Sequence, residues 1–108
     1  MVRDELLRLR ADAEAEAATM ARDLQALFEA SRDSNADDEH DPEGATIGFE
    51  RAQLTALLAA ARERIAEVDE ALRRLDTATY GICERCGRPI APERLAVRPF
   101  ARSCVTCG

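Results

Sequence analysis

Two stretches of this 108-residue chain carry apolar residues at alternating steps of three and four, and few folds accept that pattern. In the first, Leu6, Ala13, Ala17, Met20, Leu24 and Leu27 are spaced 7, 4, 3, 4 and 3. In the second, Ile47, Leu54, Leu58, Ala61, Ile65, Val68, Leu72 and Leu75 are spaced 7, 4, 3, 4, 3, 4 and 3. A rhythm of this kind held over three to four heptads is the seam of a coiled coil. Neither stretch contains a proline, and both are rich in the strong helix formers Ala, Leu, Arg and Glu. The pattern predicts helices over about 3–32 and about 47–77, joined by a loop over about 33–46. The simplest arrangement is an antiparallel two-helix coiled-coil hairpin over residues 1–79, each helix about 45 Å long at 1.5 Å per residue. Thr46 is the expected N-cap of the second helix and Gly81 its expected terminator. Pairing of the seam between two chains is the alternative use of the same pattern.

A two-helix hairpin with alanines in its seam is marginal by itself, so its open end needs a clamp. The residues that follow supply one. From about residue 80 the helical rhythm stops, and three of the four prolines and three of the five glycines fall in this last segment. Cys83 and Cys86 form one C-x2-C pair and Cys104 and Cys107 a second, separated by residues 87–103. Each such turn brings two thiolates within reach of one metal ion, and two turns complete a tetrahedron around Zn(II). Four sulfur ligands leave no position for water, so the expected site is structural, with one zinc per chain. The expected finger spans 80–108, with a small core of Ile82, Ile90, Leu95, Val97 and Phe100 and with Arg85, Arg88, Arg94, Arg98 and Arg102 offsetting the thiolate charge.

Disulfides are the other use of four cysteines, and the N-terminal residues argue against it. MVRDELLRLR alternates charge with leucine, unlike a secretory signal, and no apolar run approaches the length of a membrane span. The expected location is therefore cytoplasmic, where thiols stay reduced.

The charge is concentrated. Residues 33–46 hold six acids (Asp33, Asp37, Asp38, Glu39, Asp41 and Glu43) and no base; without them fifteen acids face fifteen arginines, so the formal net charge of −6 lies within this loop. An acidic chain is a poor partner for nucleic acids or anionic membranes, both of them polyanions. The spacing between the cysteine pairs also occurs in GATA-type DNA-binding fingers, but those continue into a basic tail, and here one residue follows Cys107. Direct sequence-specific DNA binding is not expected. Asp38 and Asp41 stand at a D-x-x-D spacing around His40, with Pro42 stiffening the turn. Such a loop can be a solvated cap, an oxygen-ligand cluster for Mg(II) or Mn(II), or a rod tip that delivers carboxylates into a basic or metal-containing cavity of a partner. An exposed loop lacks the concave pocket an enzyme needs, and the chain is not expected to be one. Confinement of the whole net charge to the loop favours delivery.

The finger residues bring a family into view. Gly81, Cys83, Cys86, Gly87, Ile90, Arg94, Leu95, Arg98 and Pro99 follow G-x-C-x-x-C-G-x-x-I-x-x-x-R-L-x-x-R-P, and Cys104 and Cys107 complete the set. In these residues, and in the hairpin before them, the chain resembles the DksA/TraR family of zinc-finger regulators of bacterial RNA polymerase. The resemblance implies a transcription regulator that binds RNA polymerase directly, with the hairpin entering the secondary channel. The tip would then approach the catalytic magnesium and alter open-complex lifetime and initiation, in many members together with ppGpp. The family's tip motif, D-x-x-D-x-A, maps onto Asp38, Asp41 and Glu43, where glutamate replaces alanine; counting back from the finger gives His40, Glu43 and Ala45 instead. The expected partner-binding tip is therefore Asp38, Asp41, Glu43 and Ala45. The helix that often follows the finger, and the N-terminal extension of longer members, are not expected in these 108 residues. The competing functional reading is a helical-hairpin interaction module, pairing with itself or another coiled coil, whose zinc finger is purely structural.

Overall fold

The computed structural model describes residues 1–33 and 42–108; the side chains of residues 31, 33 and 42–45 are outside that description. The fold is mainly helical. Two long helices, α1 (Val2–Asp33) and α2 (Pro42–Asp76), precede a short helix α3 (Pro92–Val97). The chain divides into two compact units, residues 1–12 with 64–108, and residues 13–63. That division cuts both long helices, because the last segment packs on the helix ends beside it.

In the first unit the long helices run antiparallel. Arg3 Nη2 donates to Asp76 Oδ1 at 2.7 Å, and Arg10 Nε to Asp69 Oδ1 at 2.6 Å. Leu6 from α1 and Val68 and Ala71 from α2 are buried against Phe100, with Leu9, Leu72, Leu75 and Tyr80 packed around them. The expected clamp is thus a shared core, in which the finger contributes an aromatic ring to the helix seam. In the second unit Ala13, Leu58 and Ala61 are buried, while Ala17, Met20, Leu24, Leu27, Ile47 and Leu54 are half-buried. There Arg51 lies over the Phe28 ring at 5.3 Å.

Both seven-residue steps in the seam skip one position that is in phase with it. Arg10 fills the gap between Leu6 and Ala13, and Arg51 the gap between Ile47 and Leu54. Each is half-buried and each has a partner on the opposite helix, Asp69 or Phe28. In every one of these cross-helix pairs the two residue numbers add to 79. Polar residues at seam positions set register, since a slipped helix would strand a half-buried charge.

Two helix boundaries differ from the sequence expectation. α2 begins at Pro42, so Thr46 lies inside the helix and is not its N-cap. Proline suits the first helical position, where its fixed φ is already helical and its missing N–H costs nothing. At the other end Gly81 is not the terminator. Ala78 takes the left-handed conformation (φ 61°), with Thr79 N–H donating to Arg74 O at 2.9 Å and Ala78 N–H to Leu75 O at 3.4 Å. This is a Schellman closure with alanine where glycine is usual.

Candidate metal centre and its surroundings

The first cysteine pair sits on a tight turn made by local chemistry. Ile82 and Pro89 form an isolated antiparallel bridge, flanked by Cys83 N–H to Arg88 O at 2.8 Å and Ile90 N–H to Gly81 O at 2.7 Å. Within this loop Gly87 N–H returns to Cys83 O at 2.9 Å. Gly81 (φ 82°) and Gly87 (φ 75°) both need the left-handed region that a side chain disfavours. Around Gly81 the constraint is conformational and not spatial, since an added Cβ would meet only ordinary contact with Leu95 Cδ1 at 3.7 Å. The second pair is closed by Cys107 N–H and Gly108 N–H, both donating to Cys104 O, at 3.2 and 2.7 Å. Glu84 N–H to Arg102 O at 3.0 Å joins the two loops.

These turns bring all four sulfurs, of Cys83, Cys86, Cys104 and Cys107, within 4.8 Å of one another. Cys86 Sγ and Cys104 Sγ are 3.8 Å apart. A tetrahedron with metal–sulfur bonds of about 2.3 Å has edges of about 3.8 Å, so the donor set fits Zn(II) in size as well as softness. The N–H groups of Cys86 and Cys104, aimed at its sulfur, bring the Cys83 thiol down to about 6 against the opposing effect of burial. Cys104 is also lowered, chiefly by the N–H of Cys107. Cys107 is pushed up to about 12, first by hydrogen bonding with Cys104. Backbone N–H donors thus stabilise negative charge on the sulfurs of Cys83 and Cys104.

The finger core differs in part from the expected one. Ile90 and Phe100 are buried and Leu95 is half-buried, but Ile82 and Val97 are exposed, Val97 at 81%. Alternation across the bridge explains Ile82, because neighbouring residues face opposite ways and the buried place goes to Cys83. Val97 ends α3, which buries no residue at all. Pro99 and Ala101 are buried instead.

Three of the finger arginines have partners other than sulfur. Arg94 Nε donates to Ser103 O at 2.9 Å, bracing α3 against the second cysteine loop. Arg102 pairs with Glu84 at 3.5 Å. Arg98, with Arg64 of α2, lies over the Phe100 ring, at 5.2 and 5.3 Å from its centroid. These two guanidiniums have no carboxylate partner among the described residues, and with Leu9, Val97, Pro99 and Phe100 they line a cleft of about 370 Å³.

Sequence reasoning missed three residues that seat the finger on the helix ends. Tyr80 Oη donates to Pro99 O at 2.7 Å. Arg74 Nη2 donates to Phe100 O and Ala101 O, at 3.4 Å each. Ala71 fills the core beneath them. Three consecutive finger carbonyls are therefore held, two from the last turn of α2 and one from Tyr80 just beyond it. A weak signal existed in the three-residue steps Val68, Ala71, Arg74, which widen the buried face beside the seam. Of the expected tip residues, Asp38 and Asp41 lie outside the described residues, and Glu43 and Ala45 lie in the first turn of α2 with side chains outside the description.

Residues 78–108 match the family model of the prokaryotic dksA/traR C4-type zinc finger. General stress protein 16O of Bacillus subtilis (strain 168) is 36% identical over 72 residues, 67% of this chain and 44% of that protein. The RNA polymerase-binding transcription factor DksA of Caulobacter vibrioides (strain NA1000 / CB15N) is 48% identical over 40 residues, 37% of this chain and 28% of that protein. The matches thus span less than half the length of these curated relatives. The solved structure of transcription factor DksA2 from Pseudomonas aeruginosa is similar with a TM-score of 0.80 and 32% identity, covering 98% of this chain and 76% of that one.

Proposed function

The chain belongs to the DksA/TraR family, and from that premise we propose that it is a cytoplasmic transcription regulator that binds RNA polymerase directly, without enzymatic activity or sequence-specific DNA binding of its own. The hairpin enters the secondary channel and places Asp38, Asp41, Glu43 and Ala45 near the active site, where they alter open-complex stability and initiation. Physically this is a coupling free energy: a factor that binds one polymerase state better shifts the population towards it. Cys83, Cys86, Cys104 and Cys107 hold one structural Zn(II), which keeps the finger folded on the helix ends. The observation that carries the reading is similarity over 98% of the chain to a transcription factor, the helices included, and not over the cysteine motif alone.

ppGpp is the second ligand of this reading. Arg64 and Arg98, stacked over Phe100 and free of carboxylate partners among the described residues, offer a cleft suited to a polyphosphate anion.

Binding of the zinc-loaded protein to purified core RNA polymerase tests the proposal. Saturable binding, competed by another secondary-channel factor, is the expected result. The double variant Asp38→Asn with Asp41→Asn should still bind but lose its effect on promoter-complex lifetime. Absence of binding by the folded, zinc-containing wild type would overturn the reading and leave helix pairing, tested by Leu58→Asp, as the function to examine. Arg64→Ala with Arg98→Ala should remove any ppGpp response while leaving polymerase binding in place.

A further inference from the structure

One charged side chain among the described residues is buried with donors unused. Arg74, on the last turn of α2, is 8% exposed. Its Nη2 reaches the carbonyls of Phe100 and Ala101, but Nε and Nη1 are shut off from solvent and meet no acceptor. A buried guanidinium with unpaired donors is among the more costly groups a protein can hold. The end of α2 lowers that cost in part, because helix C-terminal carbonyls favour a cation there.

Two carboxylates lie nearby, and the pKa of one of them, Glu70, is lowered first by its hydrogen bond with Arg73 and further by the charge of Arg74. Arg74, Glu70, Glu84 and Cys83 line one cleft of about 480 Å³. Glu70 pairs with Arg73, and Glu84 with Arg102. A further source of negative charge in that cleft is sulfur. Cys83 is 1% exposed, and four thiolates around one Zn(II) carry a formal charge of −2. A free anion is disfavoured in the same place by the two carboxylates and by the helix end.

We propose that Arg74 is the buried counter-charge of the zinc–tetrathiolate centre, a positioning residue whose guanidinium balances the thiolates while its fork holds the 100–101 carbonyls on the end of α2. The inference rests on the zinc reading given above. Zinc loading and seating of the finger are then coupled through one side chain. Metal brings the charge that makes burial of Arg74 favourable, and the buried Arg74 holds the segment leading to Cys104. Outer partners of this kind tune metal affinity without touching the metal.

Cobalt titration of the metal-free full chain provides the test, followed through thiolate-to-Co(II) charge-transfer bands and then by Zn(II) competition. Wild type is compared with Arg74→Met, Arg74→Lys and Arg73→Met, with far-UV circular dichroism on each. Arg74→Met should lose roughly 10- to 100-fold in metal affinity, the range seen when such outer partners are removed. Arg74→Lys, which keeps the charge without the fork, should retain most of that affinity. Arg73→Met, which removes the same formal charge from an exposed neighbour, should leave it unchanged. Wild-type affinity in Arg74→Met overturns the proposal, as does an equal loss in Arg73→Met or in Arg74→Lys. Should Arg74→Met fail to fold, the lysine variant decides alone: retained affinity supports the counter-charge role and a loss overturns it. A wild type that takes up no cobalt at its cysteines removes the zinc reading itself, an outcome distinct from uniform affinity across the variants.

Discussion

The two compact units are made from the same pair of helices, yet they bury their seams to different degrees. In residues 1–12 with 64–108, Leu6, Val68 and Ala71 are fully covered, because Phe100 and Tyr80 close the side that a second helix leaves open. In residues 13–63 the described residues belong to these two helices alone. The best-buried positions there are two alanines and Leu58, most of the seam is half-buried, and Phe49 remains 71% exposed. Two helices alone cover a narrow stripe; a core that excludes water needs a third surface. The finger supplies that surface within the first unit, where the four-cysteine cluster also lies.

The strongest way to break this contrast is to remove the metal. Chelation, or Cys104→Ser, should abolish hydrogen-exchange protection across 1–12 and 64–108. The apparent binding free energy of a structural zinc, about 10–16 kcal/mol at pH 7, is as large as the whole stability of a small domain. Protection in 13–63 should fall much less; an equal loss in both regions would show that the metal governs the entire chain.

Cavity-forming substitutions sharpen the same comparison. Leu6→Ala should cost about 2–5 kcal/mol in chemical denaturation, as expected for a fully buried leucine. Leu24→Ala, at a half-buried position of the other unit, should cost about 1 kcal/mol, on the order of half the burial energy of a leucine side chain. Equal costs would mean that the exposure of the second seam has no energetic meaning.

A smaller effect has the opposite sign. Ala78 is held at positive φ in the Schellman closure, and Ala78→Gly should stabilise the finger-bearing unit by about 1 kcal/mol, the approximate cost of a left-handed non-glycine residue. Thermal unfolding of the zinc-loaded protein should rise by a few degrees. No gain would show that the alanine is relaxed in its Schellman position.

Smallest is the titration of Tyr80, the chain's sole tyrosine. Burial, aided by Glu5, raises its phenol above the ordinary value of 10.0. A raised folded pKa means that the folded state holds the proton more tightly. The contribution is fully present below pH 10 and is lost as pH rises through the folded value. Ultraviolet titration of the phenolate should therefore show a midpoint above 10 in the zinc-loaded protein and a return to 10 once it is unfolded.

The helices, the seam and the cysteine cluster were legible because each depends on local order. A three-four rhythm marks which face of a helix is apolar whatever covers it, and two C-x2-C turns converge wherever a short loop joins them. For the same reason glycines 81 and 87 could be tied to the finger. Ile82 and Val97 show where such reasoning stops: both are apolar, both lie within the motif, and neither is buried. Their fate depended on a two-residue alternation and on the end of a six-residue helix, neither of which hydrophobicity reports.

Sequence by itself determined two helices each with an apolar seam, a four-sulfur site able to take zinc, and an acidic segment between the helices that holds the entire net charge. Tertiary structure decided which ends of the helices acquire a real core, that two seam gaps are filled by Arg10 and Arg51 with partners across the pair, and that Arg74 is buried and not solvated as its neighbour Arg73 is. The physical reason is common to all three. Periodicity follows from backbone geometry within a single helix, whereas the burial of a charged or apolar side chain depends on what another element, far away in sequence, brings against it.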